Sequence, residues 1–331
     1  MFDFVSKRNW YYLLSALFIL PGVISLLIPP ALKPGIDFTS GTTFTVRFAQ
    51  NVSADDLRSV MSSLGHPEAR VQQTGENRFL VRTKELAGAA QAPPIGPAPP
   101  SERDIVEARL HQEFGDFTDN EGNVTNRFIE FASVSATVST EIGRNAFIAV
   151  AAAAVAILLY ISWAFRSVPS PFRYGVCAIV ALMHDSVLVV GAFSIFGKLF
   201  GTEINTMFIT GLLTVVGFSV HDTIVVFDRV RENMLRVEEP DLAERVNTSI
   251  VQTLSRSLNT SLTLLFAVVA LLLLGGESIR PFLIVLLIGT ITGTYSSIFI
   301  AAQLLITWEK GDVPRLFRRV LGRPKPQPVE A

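Results

Sequence analysis

Cysteine is almost missing from this chain: Cys177 is the sole one in 331 residues, so no internal disulfide staples the fold. Histidine is nearly as scarce, with four, and no His-Glu-x-x-His run occurs. There is no Gly-x-Ser-x-Gly elbow and no Gly-x-x-x-x-Gly-Lys-Ser/Thr loop for nucleotide phosphates. Charged residues make up only 17% of the chain, with a net charge of -1. These gaps leave catalysis without a complete constellation. They also place any energy source outside ATP. No enzyme activity, cofactor, metal or nucleic-acid partner is expected.

What the chain has is apolar length. Hydrophobic residues are 49% of it, gathered into six runs that reach the ~20 residues needed to span a bilayer. We read spans at 10–30, 141–165, 172–196, 204–228, 258–275 and 281–308. The first run contains Pro21 and has no Ala-x-Ala exit, so it reads as a span rather than a cleaved signal. Basic residues collect on one side: Lys7 and Arg8; Arg166 and Arg173; Arg229, Arg231, Arg236 and Arg245; and Lys310, Arg315, Arg318, Arg319, Arg323 and Lys325. The other side's short loops hold Lys198 and Arg280. The positive-inside rule therefore places both termini (1–9 and the basic tail 309–331) in the cytoplasm and 31–140 outside. The tail also suits anionic lipid.

Residues 31–140 stop being membranous. Phe44, Val46 and Phe48 alternate on one face of a strand. Ser53 precedes a helix carrying Leu57, Val60, Met61 and Leu64, and Gly75-Glu-Asn77 joins two short strands. Ala87 to Pro100 reads as a linker. Ser101 with Asp104 forms a capping box for a helix expected to bury Ile105, Leu110 and Phe114. Residues 127–135 alternate as a last strand. The order β-α-β-β-α-β is the ferredoxin-like pattern. Further on, 229–257 reads as a cytoplasmic amphipathic connection, with Leu242, Val246, Ile250 and Leu254 as its stripe. In the last span Gly289, Gly293 and Ser297 recur every four residues, a surface for close helix packing.

Ionisable residues inside spans are the candidate functional groups. Two His-Asp pairs qualify, His184-Asp185 and His221-Asp222. On the fifth span Arg256, Asn259, Thr260 and Thr263 share one helical face, and on the fourth Thr210, Thr214, Gly217 and His221 share another. Asp222 lies about 10 Å of helical rise from the membrane edge at Arg229, so Arg256 is expected to reach it. That pair reads either as a protonatable site with a cationic partner or as a static ion pair that fixes packing. Adjacent His and Asp point about 100° apart on a helix, which argues against a metal centre.

Five ordered blocks resemble the SecF branch of the SecD/SecF family, in the RND superfamily. They are GIDFTSGTTF with Gly35, Asp37 and Gly41; ALMHDSVLVVGAFSIFG; GFSVHDTIVVFDRVREN; TLSRSLNTSLTLL; and LLLLGGESIRPF. Ser40 stands where the family signature has a second Gly, and Phe218 and His221 stand where Tyr and Asn are usual. The resemblance implies a helical six-span RND-type half with a ferredoxin-like periplasmic domain, in the cytoplasmic (inner) membrane. It implies SecD as obligate partner, supplying a homologous six-helix half, with the SecYEG channel, SecA, YajC and secreted polypeptides as further partners. It also implies that protons drive a late stage of export, with the family's essential aspartate at Asp222 and its arginine at Arg256. A purely structural stabiliser of the translocon and an RND-type small-molecule exporter half are the alternatives.

Overall fold

A computed structural model describes residues 3–87, 100–236, 241–276 and 279–309. Most of the Ala/Pro stretch and the basic tail lie outside the described residues. The chain divides into two compact units, Pro34–Ala146 and Met1–Lys33 with Phe147–Ala331.

The smaller unit opens with a single helical turn, α2 (Ile36–Thr39), and continues through β1 (Gly41–Arg47), α3 (Ala54–Ser63), β2 (Arg70–Gly75), β3 (Arg78–Thr83) and α4 (Glu102–Phe114). A two-stranded hairpin, β4 (Phe117–Thr118) with β5 (Val124–Thr125), and then β6 (Glu130–Val134) complete it. Sheet order is β2-β3-β1-β6, and every neighbouring pair is antiparallel, so each helix links strands that are not adjacent, a split β-α-β arrangement. Phe44 sits opposite Val81 on one side and Phe131 on the other. Phe44, Val46, Phe79, Val81, Leu57, Met61, Leu110 and Phe117 make the core. Both helix starts are capped as the sequence indicates: Ser53 accepts from the Asp56 amide, and Ser101 and Asp104 form a full capping box. One core assignment changes. Ile105 is 47% exposed, while Val106 and Leu110 are buried and Phe114 is half-buried, because the apolar face of α4 follows the i, i+4 series from 106. The β4–β5 hairpin escaped the periodicity reading because two-residue strands carry no pattern. Asp119 organises it by accepting from the Glu121 and Asn123 amides.

The turn into β1 explains the glycine signature. Gly41 has φ +118, and a Cβ there would stand 2.6 Å from the Thr83 carbonyl oxygen, so no side chain fits. Ser40 precedes it at φ 61, ψ 170, a region that essentially belongs to glycine.

The larger unit holds the spans. α1 (Arg8–Leu27), α5 (Ala136–Ala164), α6 (Pro171–Leu199), α7 (Thr206–Arg236) and α8 (Leu242–Leu274) are single helices. The sixth span is α9 (Arg280–Ser296), a π-helical turn at Ser297–Ala301, and α10 (Ala302–Glu309). Among the described residues six helices are long and apolar enough to cross a membrane. α5 starts five residues earlier than expected, inside the smaller unit, and only 6% of its apolar window is buried. The expected connection at 229–257 is not a separate surface helix: α7 runs on to Arg236, and 242–257 is the first half of α8. Val246 and Ile250 are fully buried in the bundle core, and Asn233 donates to Ser249 and Gln252, locking the two helices together. The apolar stripe was real, but it faces protein.

Replacing Ser40 by glycine should remove backbone strain of about 1 kcal/mol. Chemical unfolding of the full chain in detergent, followed through amide exchange of β1, is expected to show a more stable smaller unit. Equal or lower stability would mean that Ser40 is unstrained.

Candidate functional site

Helices carry carboxylates through hydrocarbon only where neighbours satisfy them. Here the neighbours are brought in by small residues. A Cβ added at Gly293 would lie 3.0 Å from the Ser219 Cβ, so α9 and α7 pack nearly backbone to backbone. Gly22 and Gly191 do the same for α1 and α6, with an added Cβ on either under 3.0 Å from the other's Cα.

Asp185 on α6 is completely buried. Its Oδ2 accepts Ser219 Oγ from α7 at 2.5 Å and Ser296 Oγ from α9 at 2.6 Å. Its Oδ1 lies 2.9 Å from His184 Nδ1, and His184 Nε2 lies 2.9 Å from Ser15 Oγ on α1. Four helices therefore meet at one carboxylate. The π-helical turn begins directly after Ser296, and its first residue, Ser297, sits 3.0 Å from Thr223 Oγ1 on α7.

Asp222 on α7 is 2% exposed. Ser261 Oγ from α8 donates to its Oδ2 at 3.4 Å, and Thr294 of α9 stands behind that hydroxyl. Ser261 and Thr294 are themselves 2.5 Å apart. His221 Nδ1 stands 3.8 Å from Asp222 Oδ1, but the ring is 62% exposed.

Arg256 is not the partner of Asp222. Among the described residues the two make no ion pair, and Arg256 is exposed. The face of α8 that packs inward is Val246, Ser249 and Ile250, Thr253, Ser257 and Ser261. Arg256 lies about 100° off that line. Asn259, Thr260 and Thr263 share its outward face, and Thr210, Thr214 and His221 form an exposed stripe on α7. The threonines return their hydroxyls to their own helices: Thr210 to the Thr206 carbonyl, Thr214 to that of Thr210, Thr260 to that of Arg256, and Thr263 to that of Asn259. Of the signature residues, Gly35 is buried before α2 and its carbonyl accepts from the Phe38 and Thr39 amides. Asp37 lies in α2 and Gly41 opens β1.

The residues that sequence reasoning missed are the hydroxyls: Ser15, Ser261, Thr294 and Ser296. Ser257 with Ser261, and Thr290 with Thr294, repeat at i, i+4 on inward faces. That spacing was visible, but serine and threonine are ordinary in membrane helices and did not stand out. Their chemistry matters here. A guanidinium only donates, so it leaves the O–H of a protonated carboxyl without an acceptor. A hydroxyl donates to the ionised form and accepts from the protonated one, so both states of Asp185 and Asp222 can be satisfied in place. Among the described residues no lysine or arginine forms an ion pair with either carboxylate, and no group of three or more metal-ligating side chains occurs.

Residues 116–311 match the family model of the protein export membrane protein SecD/SecF, C-terminal, and residues 30–52 match the SecD/SecF GG motif. A protein translocase subunit SecF from Thermobaculum terrenum is 45% identical over 319 residues, covering 96% of this chain and 98% of that one. The SecDF subunit of Bacillus subtilis is 36% identical over 93% of this chain, which spans 38% of that longer protein. The crystal structure of SecDF from Thermus thermophilus, described as a translocon-associated membrane protein, superposes with a TM-score of 0.71 at 33% identity. It covers 93% of this chain and 39% of its own.

Removing one hydroxyl from Asp185, by Ser219→Ala or Ser296→Ala, should cost about 1.5–3 kcal/mol, the range for hydrogen bonds to charged groups. The double variant should cost less than the sum, because both serve one oxygen. Thermal unfolding in detergent tests this; losses that simply add would show that the two bonds are independent.

Proposed function

The chain belongs to the SecD/SecF family of protein export membrane proteins, and from that premise we propose that it is the SecF-type, non-enzymatic subunit that couples proton flow to protein export. Asp222 is the proton-carrying group. The observation that supports this is a buried carboxylate that accepts from the Ser261 hydroxyl, itself bonded to Thr294, with no lysine or arginine paired to it among the described residues. One proton crossing about 100 mV releases roughly 2.3 kcal/mol, which shifts a two-state equilibrium by more than tenfold. The membrane is the cytoplasmic one, both termini face the cytoplasm, and the smaller unit, with its split β-α-β sheet, is a ferredoxin-like domain on the periplasmic side. There it meets secreted chains leaving the SecYEG channel after the stage driven by SecA, with YajC as an accessory.

SecD is the partner that completes the assembly. In the two SecDF proteins the matching region is a little over a third of a longer chain, so the remainder there stands for what a separate SecD supplies here. The outward polar stripes of α7 and α8 are the surfaces it covers, because exposed His221, Arg256 and Asn259 have no place against lipid. Arg256 then finds its acidic counterpart on the partner half, not on Asp222.

The test compares wild type with Asp222→Asn and Arg256→Met, each assembled with SecD in membrane vesicles. Export is followed with the proton gradient intact and collapsed. Both variants are expected to assemble and to lose only the gradient-dependent part. Normal export by both under both conditions would favour a structural role in the translocon.

A further inference from the structure

Resting on the proton-coupled reading above, the His184–Asp185 centre has connections that Asp222 lacks. Three groups in series, Ser15 Oγ, the His184 ring and Asp185 Oδ1, are separated by 2.9 Å at each step. Serine hydrolases use the same order of atoms. Hydrolysis also requires free amides to hold an oxyanion, and Ser15 sits mid-helix in α1, where amides are committed to the helix. The series is instead suited to holding a proton.

We propose that His184 and Asp185 form a second proton-holding centre whose state is passed to α1 through Ser15. With a neutral ring, Nδ1–H donates to Asp185 and Nε2 accepts from the Ser15 hydroxyl. When Nε2 gains a proton, it donates to Ser15 Oγ instead, and the hydroxyl proton of Ser15 must turn to another acceptor. The acceptor within its own helix is the Tyr11 carbonyl one turn back, to which the Tyr295 hydroxyl on α9 donates. That carbonyl is occupied: it accepts its own helical N–H and also Tyr295 Oη at 2.7 Å. A carbonyl has two lone pairs, so a proton on His184 disturbs the Tyr295–Tyr11 bond between α9 and α1. α1 is the helix that leads directly into the smaller unit.

The surroundings of the ring fit this role. His184 faces Asp185 on its own helix, Ser15 on α1 and Tyr295 on α9, whose ring stacks with it at 6.3 Å; Ser219 on α7 and Ser296 on α9 face it only through Asp185. A cavity of about 310 Å³ lined by Leu14, Ser15, Phe18, His184, Leu188 and Tyr295 gives space beside the imidazole.

The chain has four histidines, so labelling them with nitrogen-15 and reconstituting the chain with unlabelled SecD in lipid vesicles gives a small set of imidazole signals. His184→Gln assigns the one that matters. The expected result is a His184 signal that passes from neutral tautomer to imidazolium as the pH is lowered. Its midpoint should move in Ser15→Ala and in Tyr295→Phe, and Ser15→Ala should slow gradient-driven export about fivefold or more while the complex still forms. A ring that keeps one protonation state throughout, or a midpoint indifferent to both substitutions, overturns the proposal. The imidazole signals do not depend on export, so they judge this centre even where Asp222→Asn leaves export unchanged.

Discussion

A carboxylate inside an apolar helix bundle must be compensated, and here the compensation is hydroxyl rather than cation. Asp185 and Asp222 are each at most 2% exposed, and each draws on serine or threonine from neighbouring helices. A charge at mid-span costs about 2.5–3.5 kcal/mol on insertion scales. Hydrogen bonds to a charged group return about 1.5–3 kcal/mol apiece. At Asp185 the bonds from Ser219 and Ser296 offset the burial, and they do so without fixing the carboxyl in one protonation state.

Much of the bundle's geometry follows from that need. Serine and threonine side chains are short, so their helices must come close, and Gly293 and the Gly22–Gly191 contact permit the approach. The π-helical turn at Ser297–Ala301 falls where the hydroxyls crowd, with Ser296 bonding to Asp185 and Ser297 facing Thr223. Turns of this kind are frequent at functional sites. α5 takes no part in the polar centre and remains the least buried of the six spans.

Spans, strands and caps were legible because each rests on a local signal: an apolar run, an alternation, a capping box. Asp222 and Asp185 were legible for the same reason, since a lone charge in an apolar run stands out by itself. The partner of Asp222 was not. Helical rise placed Arg256 at a suitable depth, but depth leaves rotation open, and rotation of α8 is set by Val246, Ile250 and Ser257 packing inward. The amphipathic stripe at 242–254 was misread similarly, since a periodic apolar face demands burial without saying whether lipid or protein supplies it. Ser261, Thr294 and Ser15 gain their meaning only from tertiary contact, so the sequence pattern alone ranked them as ordinary.

The proposed mechanism requires Asp222 to take up a proton inside the bundle. Dicyclohexylcarbodiimide reacts with protonated carboxyls in apolar surroundings, and mapping its adducts in the assembled complex across pH reads that state directly. An adduct on Asp222 is expected that fades as pH rises and is absent in Asp222→Asn. An Asp222 that stays unmodified at every pH, while other carboxyls in the spans react, would contradict it.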